Sequence, residues 1–394
     1  MDYRFSDRMQ NLKGNAIRMI FKLLAQPDMI SFAGGMPAGQ ALPAAEIADI
    51  ADELLHGKDA LKILQYGGTE GYLPYLQSGL KYLARKGITD VTLDNVLAVS
   101  GGQQGIDLTC KAFINKGDVV LVEDPTYLAV LHILKTYEGV PVGVKSNDDG
   151  IDPDDLEAKI IRYHPKFVYL VPNFSNPTGK TVPLENRKRI AEITAKHGVM
   201  LVEDDPYGEL RWEGEQLPSI KSMDRTGNVI YLTSFSKVIS PGMRVGLAVA
   251  DPAVIAKLTI GKQATDVHTA TLNQAIVSEY LDRGLLDPSL ARNIPLYKQK
   301  KDAMIAAIRR YFPASVRYTD PQGGLFIWVE LPEGVSAKDL FLKAVERKVA
   351  YVCGSDFYAD GSGENTLRLN FSNATLEQID TGIARLGELL RQII

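Results

Sequence analysis

Cysteine is nearly missing from this chain. Its 394 residues hold two, Cys110 and Cys353, far apart. That excludes a disulfide framework and a cysteine-based zinc site, and it fits a reducing cytoplasm. Basic excess is missing too. Lys and Arg number 44 against 48 Asp and Glu, a net charge of −4, so nothing favours a nucleic-acid backbone or an anionic membrane as partner. No apolar run is long enough to cross a bilayer. The opening stretch, Met1 to Gly14, is polar and charged and carries no visible signal peptide. The five histidines (His56, His132, His164, His197, His268) show no metal-ligand spacing, so no metal site is expected. Repeats and low-complexity tracts are absent. With 45% hydrophobic and 23% charged residues, the composition is that of a folded soluble protein. The length allows two to three domains' worth of chain.

What is present is a series of short, continuous, β-branched runs: 96–99, 119–123, 167–171, 199–203 and 229–233. Continuous rather than alternating apolar runs predict strands buried on both faces, as in a parallel sheet. Helical segments at 102–115 and 183–197 lie between them, the second opened by Pro183 and stopped by Gly198. The fold class expected is therefore α/β. A further run, 245–250, follows the fifth strand too closely for a helical crossover and is expected to pair antiparallel. Helical periods follow at 253–261, 272–283 and 296–311. From Arg317 the pattern becomes α+β, with strands at 324–331 and 366–371, a helix from Ser336 to Lys348, and a closing amphipathic helix from about Thr375 to Ile394. We divide the chain into an N-terminal segment 1–40 packing on the active site, a large domain 41–285 and a small domain 286–394, with a bridging helix from about 296.

In open α/β sheets, ligands bind at the carboxyl ends of the parallel strands. The residues there form a set. Ser100-Gly101-Gly102-Gln103-Gln104-Gly105 is a glycine-containing loop opening a helix, which presents backbone N–H groups to an anion such as phosphate. Ser234, Ser236 and Arg244 add hydroxyl and guanidinium donors. Lys237 is a candidate Schiff-base nucleophile. Asp204 can keep a heteroaromatic nitrogen protonated, Asn176 and Tyr207 can donate to a ring oxygen, and Tyr127 can stack on a planar ring. A phosphate, a planar ring with a basic nitrogen and an amine-accepting aldehyde describe pyridoxal phosphate. Gly179-Lys180-Thr181 has the tail of a P-loop, but Phe174 stands where that motif needs glycine.

These motifs resemble those of the fold-type I pyridoxal-phosphate enzymes of aminotransferase class I/II, over essentially the whole chain. The carriers are Asn176-Pro177-Thr178-Gly179, Asp204 to Tyr207, Ser234-Phe235-Ser236-Lys237 with Arg244, Pro321 to Trp328, and Leu367 to Ser372. The resemblance implies that Arg368 binds the substrate α-carboxylate, assisted by Asn176. Ala16 to Met19 and Ile30 to Pro37 are similar to the 2-aminoadipate/kynurenine/aromatic branch. There, the resemblance implies that Arg18 contacts the substrate side chain and that Gly35 lies against the substrate. Tyr66 resembles a tyrosine lent to the neighbouring subunit's cofactor phosphate, which implies a homodimer with shared active sites. The family often has serine or alanine where Gly102 stands, and glycine keeps the backbone donor without a hydroxyl.

The expected function is amino transfer from an L-amino acid to a 2-oxo acid, 2-oxoglutarate foremost, with Lys237 carrying the cofactor and moving the Cα proton. The donor stays open among 2-aminoadipate, aromatic amino acids, kynurenine, branched-chain residues and glutamate. A β-lyase of the same fold is the rival enzyme. A catalytically silent sensor domain is the rival of another class, disfavoured because all the catalytic residue types are present and the motifs begin within the first forty residues, which leaves no room for a preceding DNA-binding domain.

Overall fold

The computed structural model describes residues 3–10, 12 and 28–394. Strand β1 (Ile30–Ser31) stands apart from the eight strands that follow. These are β2 (Val96–Val99), β3 (Val119–Asp124), β4 (Val140–Asn147), β5 (Gly150–Ile151), β6 (Phe167–Leu170), β7 (Met200–Asp205), β8 (Val229–Ser234) and β9 (Gly246–Val249). They form one sheet in the order β2-β9-β8-β7-β6-β3-β4-β5. From β8 through β4 every neighbour is parallel. β2, β6, β8 and β9 are buried at every position, which is why their sequences read as unbroken apolar runs. As expected from the short connection, β9 runs antiparallel to β8 and also to β2.

The helices Gly102–Phe113, Leu128–Thr136, Pro153–Tyr163 and Leu184–His197 cover this sheet. Gly198 closes the last of them with φ +62, a left-handed position that suits glycine. The helices at 128–136 and 153–163, and the eight-residue β4, were not singled out in the sequence. β4 lies near the sheet edge with a mixed burial pattern, so its run is broken by polar residues.

A second sheet comprises β10 (Arg317–Tyr318), β11 (Phe326–Glu330), β13 (Val352–Cys353) and β14 (Thr366–Asn370), in the order β10-β11-β14-β13. The remaining strand, β12 (Val349–Ala350), pairs parallel with β1. Phe32 N–H donates to Ala350 O and Asn370 N–H to Phe32 O, so residues 30–36 are stitched along this sheet.

One boundary differs from expectation. The long helix spans Leu286–Tyr311 with Pro295 inside it, ten residues earlier than the periodicity suggested. Proline ends most helices because it lacks the N–H and crowds the preceding turn. Here Leu286, Leu290 and Asn293 are buried ahead of it, and tertiary packing overrides the breaker. The closing helix, Leu376–Ile393, starts from a capping box between Thr375 and Gln378. No described helix is long and apolar enough to cross a membrane.

Candidate active site

The carboxyl ends of β2, β6, β7 and β8, joined by residues 33–36 and Arg368 of β14, enclose a cavity of about 270 Å³. One corner is built for an anion. Gly101 caps the helix Gly102–Phe113 with φ +86, and a Cβ there would lie 2.5 Å from Arg244 Nη2. The first turn of a helix leaves its amides without intrahelical partners, and Gly102 and Gln103 line the cavity at that turn. Ser234 Oγ donates to Ser236 Oγ at 2.9 Å, and Arg244 Nη1 donates to Ser236 Oγ at 3.4 Å. Arg244 Nη2 donates to Ser100 O at 3.0 Å, which ties the guanidinium to the loop.

Asp204, the penultimate residue of β7, stands beside this corner: its Oδ1 would lie 3.4 Å from a Cβ on Gly102. Its Oδ2 accepts from Tyr169 Oη at 2.7 Å, while Oδ1 is buried without a partner. Burial pushes its carboxyl up to about 7, against the lowering effect of the Tyr169 bond. Tyr169 was missed in the sequence. The available signal was a lone hydroxyl-bearing aromatic in the otherwise apolar β6, since a buried tyrosine needs a polar partner.

Lys237 follows β8, and its Nζ donates to Gly35 O at 2.7 Å. Burial, followed by the nearby Arg368 and Arg244 cations, lowers its ammonium to about 8. The ordinary value is 10.5, so a far larger fraction of neutral amine exists near neutrality.

Arg368 projects from β14 opposite Trp328 of β11. Nη1 donates to Asn176 Oδ1 at 2.7 Å, and Nη2 makes a short bond to Ala33 O. Its guanidinium carbon lies 4.3 Å from the Phe326 ring centroid and 5.1 Å from that of Phe357. Burial depresses the guanidinium to about 10, opposed by Tyr207 and Tyr127, and Nε is buried without a partner. Tyr207 meets Phe326 edge-on at 5.7 Å, and Tyr127 also lines the cavity. Gly35 faces Phe326, whose ring a Cβ would approach to 3.4 Å. Phe326, Phe357 and Ala33 were not anticipated, because they meet Arg368 only through pairing between distant segments.

Thus Lys237, Gly102, Gln103, Tyr127, Asn176, Asp204, Tyr207, Ser234, Ser236, Arg244, Arg368 and Gly35 meet at one cavity. Tyr66 does not. It is 82% exposed, edge-on to His268, and is not among the cavity residues. Arg18 lies outside the described residues. The donor set fits pyridoxal phosphate on the structure's own terms. There is an anion corner of amides, hydroxyls and one guanidinium, an amine of lowered basicity, and a buried carboxylate oxygen lacking the proton donor that a ring nitrogen would supply.

The chain belongs to the class I and II aminotransferases. The family model "Aminotransferase class I and II" matches residues 27–386. An aromatic-amino-acid aminotransferase of Thermococcus litoralis is 40% identical, over 100% of this chain and 95% of its own length. A 2-aminoadipate transaminase of Thermus thermophilus is 41% identical, over 97% and 95%. The crystal structure of a Pyrococcus horikoshii kynurenine aminotransferase in complex with PMP superposes with a TM-score of 0.95 at 39% identity, covering 99% of this chain and 97% of that one. This protein is therefore a transaminase of PLP fold type I, moving amino groups between amino acids and 2-oxo acids with pyridoxal phosphate as cofactor.

Proposed function

We propose that this aminotransferase takes its amino group from 2-aminoadipate or an aromatic L-amino acid, delivers it to 2-oxoglutarate, and works as a cytoplasmic homodimer. The observation that carries the residue roles is the convergence of Lys237 Nζ, the unpartnered Asp204 Oδ1 and the Arg368 guanidinium on one cavity. The donor class rests on the relatives' substrates and on the wall formed by Gly34, Gly35 and Met36.

Pyridoxal phosphate, when bound, supplies an aldehyde that condenses with amines and a ring that draws electrons from the substrate Cα. Gly102, Gln103, Ser234, Ser236 and Arg244 would hold its phosphate, and Tyr127 would supply a face for the ring. Asp204 holds a proton at the ring nitrogen, with Tyr169 keeping Oδ2 in place so that Oδ1 faces inward. Asn176 and Tyr207 orient the ring oxygen. Arg368 exchanges Ala33 O for the substrate α-carboxylate, in the bidentate geometry that guanidinium favours. Asn176, bonded to Arg368 Nη1, sets the plane of that contact. Lys237 Nζ carries the cofactor between turnovers and moves the proton on and off Cα, a task suited to an amine titrating near 8. Gly35 lies against the substrate.

Tyr66 supports the dimer. It sits with Leu61, Leu64 and Leu73 in a stretch of exposed large apolar side chains, which marks an interaction surface. We assign Tyr66 to the partner subunit's anion corner. Two free cysteines, Cys110 buried and Cys353 half-buried, fit a reducing compartment.

The test is a donor screen with 2-oxoglutarate, followed by initial rates at varied concentrations of both substrates. Ping-pong kinetics with acidic or aromatic donors preferred is the expected result. Preference for alanine or branched-chain donors would overturn the donor assignment. For the dimer, Lys237→Ala and Tyr66→Ala subunits are mixed. Recovery of activity in hybrids places Tyr66 in the neighbouring site, and no recovery refutes that.

A further inference from the structure

Beside the anion corner, outside the cavity, lies a second polar cluster, built around one buried lysine. Lys262, on the helix Pro252–Gln263, has a side chain with no exposed surface. Its Nζ donates to Gln104 Oε1 at 2.7 Å and to Asp266 Oδ1 and Oδ2 at 2.9 and 3.0 Å. Gln104 Nε2 donates to Asp266 Oδ2 at 2.7 Å, and Gln104 Oε1 also accepts from Ser100 N–H at 2.7 Å. Ser100 Oγ donates to Asp266 Oδ2 at 3.1 Å, and Ser100 O accepts from Arg244 Nη2.

Every polar group of Ser100 is therefore held: its N–H by Gln104, its hydroxyl by Asp266 and its carbonyl by Arg244. Ser100 immediately precedes Gly101 and Gly102, whose backbone turns the loop towards the cavity. None of Ser100, Gln104, Lys262 or Asp266 lines that cavity. Apolar side chains could fill this space without the desolvation that a buried lysine and its carboxylate partner carry. What apolar packing cannot do is fix the direction of the Ser100 peptide and of the Arg244 guanidinium together. An anion cradle made of backbone amides is effective when its donors are oriented before the anion arrives.

We infer that Lys262 and Asp266 are positioning residues for the cofactor phosphate, acting through Gln104 and Ser100 on the 100–103 loop and on Arg244. This rests on the reading that the corner formed by Gly102, Gln103, Ser234, Ser236 and Arg244 takes that phosphate.

The test compares pyridoxal phosphate with pyridoxal, which lacks the phosphate, as titrants of the full-length enzyme freed of cofactor by dialysis against an amino donor, followed by quenching of intrinsic fluorescence. Lys262→Met and Asp266→Asn are each expected to weaken pyridoxal phosphate about tenfold, the scale of losing hydrogen bonds to a charged group, and pyridoxal by less than about twofold. Asp266→Asn separates geometry from charge. Removing a negative group near an anion strengthens binding if only the field matters, whereas loss of positioning weakens it. Asp266 is partly exposed, so this variant carries the test if Lys262→Met does not fold. Equal loss of both titrants, or unchanged or tighter pyridoxal phosphate binding by Asp266→Asn, overturns the inference. A wild-type protein that binds the two titrants equally overturns the phosphate assignment itself.

Discussion

Asp204 and Asp205 are consecutive residues of β7, equally buried, on opposite faces of one strand. Asp205 is fully engaged: Oδ1 accepts from Asn173 Nδ2 at 2.9 Å and Gly208 N–H at 3.0 Å, and Oδ2 accepts from Tyr231 Oη at 3.0 Å. Asp204 keeps one oxygen without a partner. Two buried arginines repeat the contrast. Arg187, wholly buried, donates to Val182 O, Pro218 O, Pro172 O and Asn173 Oδ1. Arg368, 3% exposed, stacks on aromatic rings and leaves Nε orphaned. One region spends its polar groups on itself and is part of the fold. The other holds unmet hydrogen-bonding capacity under burial, which is costly unless something else completes it. In these two pairs, the buried charge with unmet capacity faces the cavity and the complete one serves the fold.

Lys237→Ala gives the largest expected effect on the incomplete side. Transamination falls by at least about 10²–10⁴-fold, while the unfolding midpoint of the cofactor-free protein holds or rises, because a desolvated amine is removed. A lower midpoint would show that Lys237 also serves the fold. The arginine pair comes next. Arg187→Met lowers stability by about 3–5 kcal/mol in denaturant unfolding, since four acceptors lose their donor. Arg368→Met leaves stability nearly intact and costs about 2–5 kcal/mol in kcat/KM for the amino acid. Reversal of that pattern breaks the comparison. The aspartates should differ more modestly. Asp205→Asn costs about 1–3 kcal/mol of stability. Asp204→Asn weakens cofactor retention without destabilising the cofactor-free fold.

A further contrast is in pH. The Asp204 carboxyl is raised to about 7 in the folded protein, so folding favours its protonated form. Its contribution to cofactor-free stability is complete below the ordinary value of 3.8 and is lost as pH rises through about 7. The wild-type protein should therefore lose stability relative to Asp204→Asn between these limits. Parallel pH–stability curves for the two proteins would refute the assignment.

Much of this was legible in the sequence. The runs at β2, β3, β6, β7 and β8 announced a buried parallel sheet, and the short path from β8 to β9 announced an antiparallel neighbour. Lys237, Asp204 and Arg368 stood out because each sits in a short motif whose residues are neighbours in sequence. The Leu286–Tyr311 helix was truncated in the sequence because Pro295 masks a packing decision. Arg187 and Lys262 gave no distinct signal, and Tyr169 only the slight one of a lone hydroxyl in the apolar β6. An arginine or lysine in a helix reads as solvated, and a tyrosine in a strand reads as core.

The sequence by itself determined the strand pattern, the loop chemistry and the family, because each is encoded in neighbouring residues. Only the tertiary structure decided which buried polar groups are complete. Lys237 meets Gly35 across 202 residues and Arg368 meets Asn176 across 192. Asp204 and Asp205 carry the same side chain on adjacent residues. Strand alternation turns them to opposite faces, and only the packed sheet supplies three donors to one and leaves the other an open oxygen.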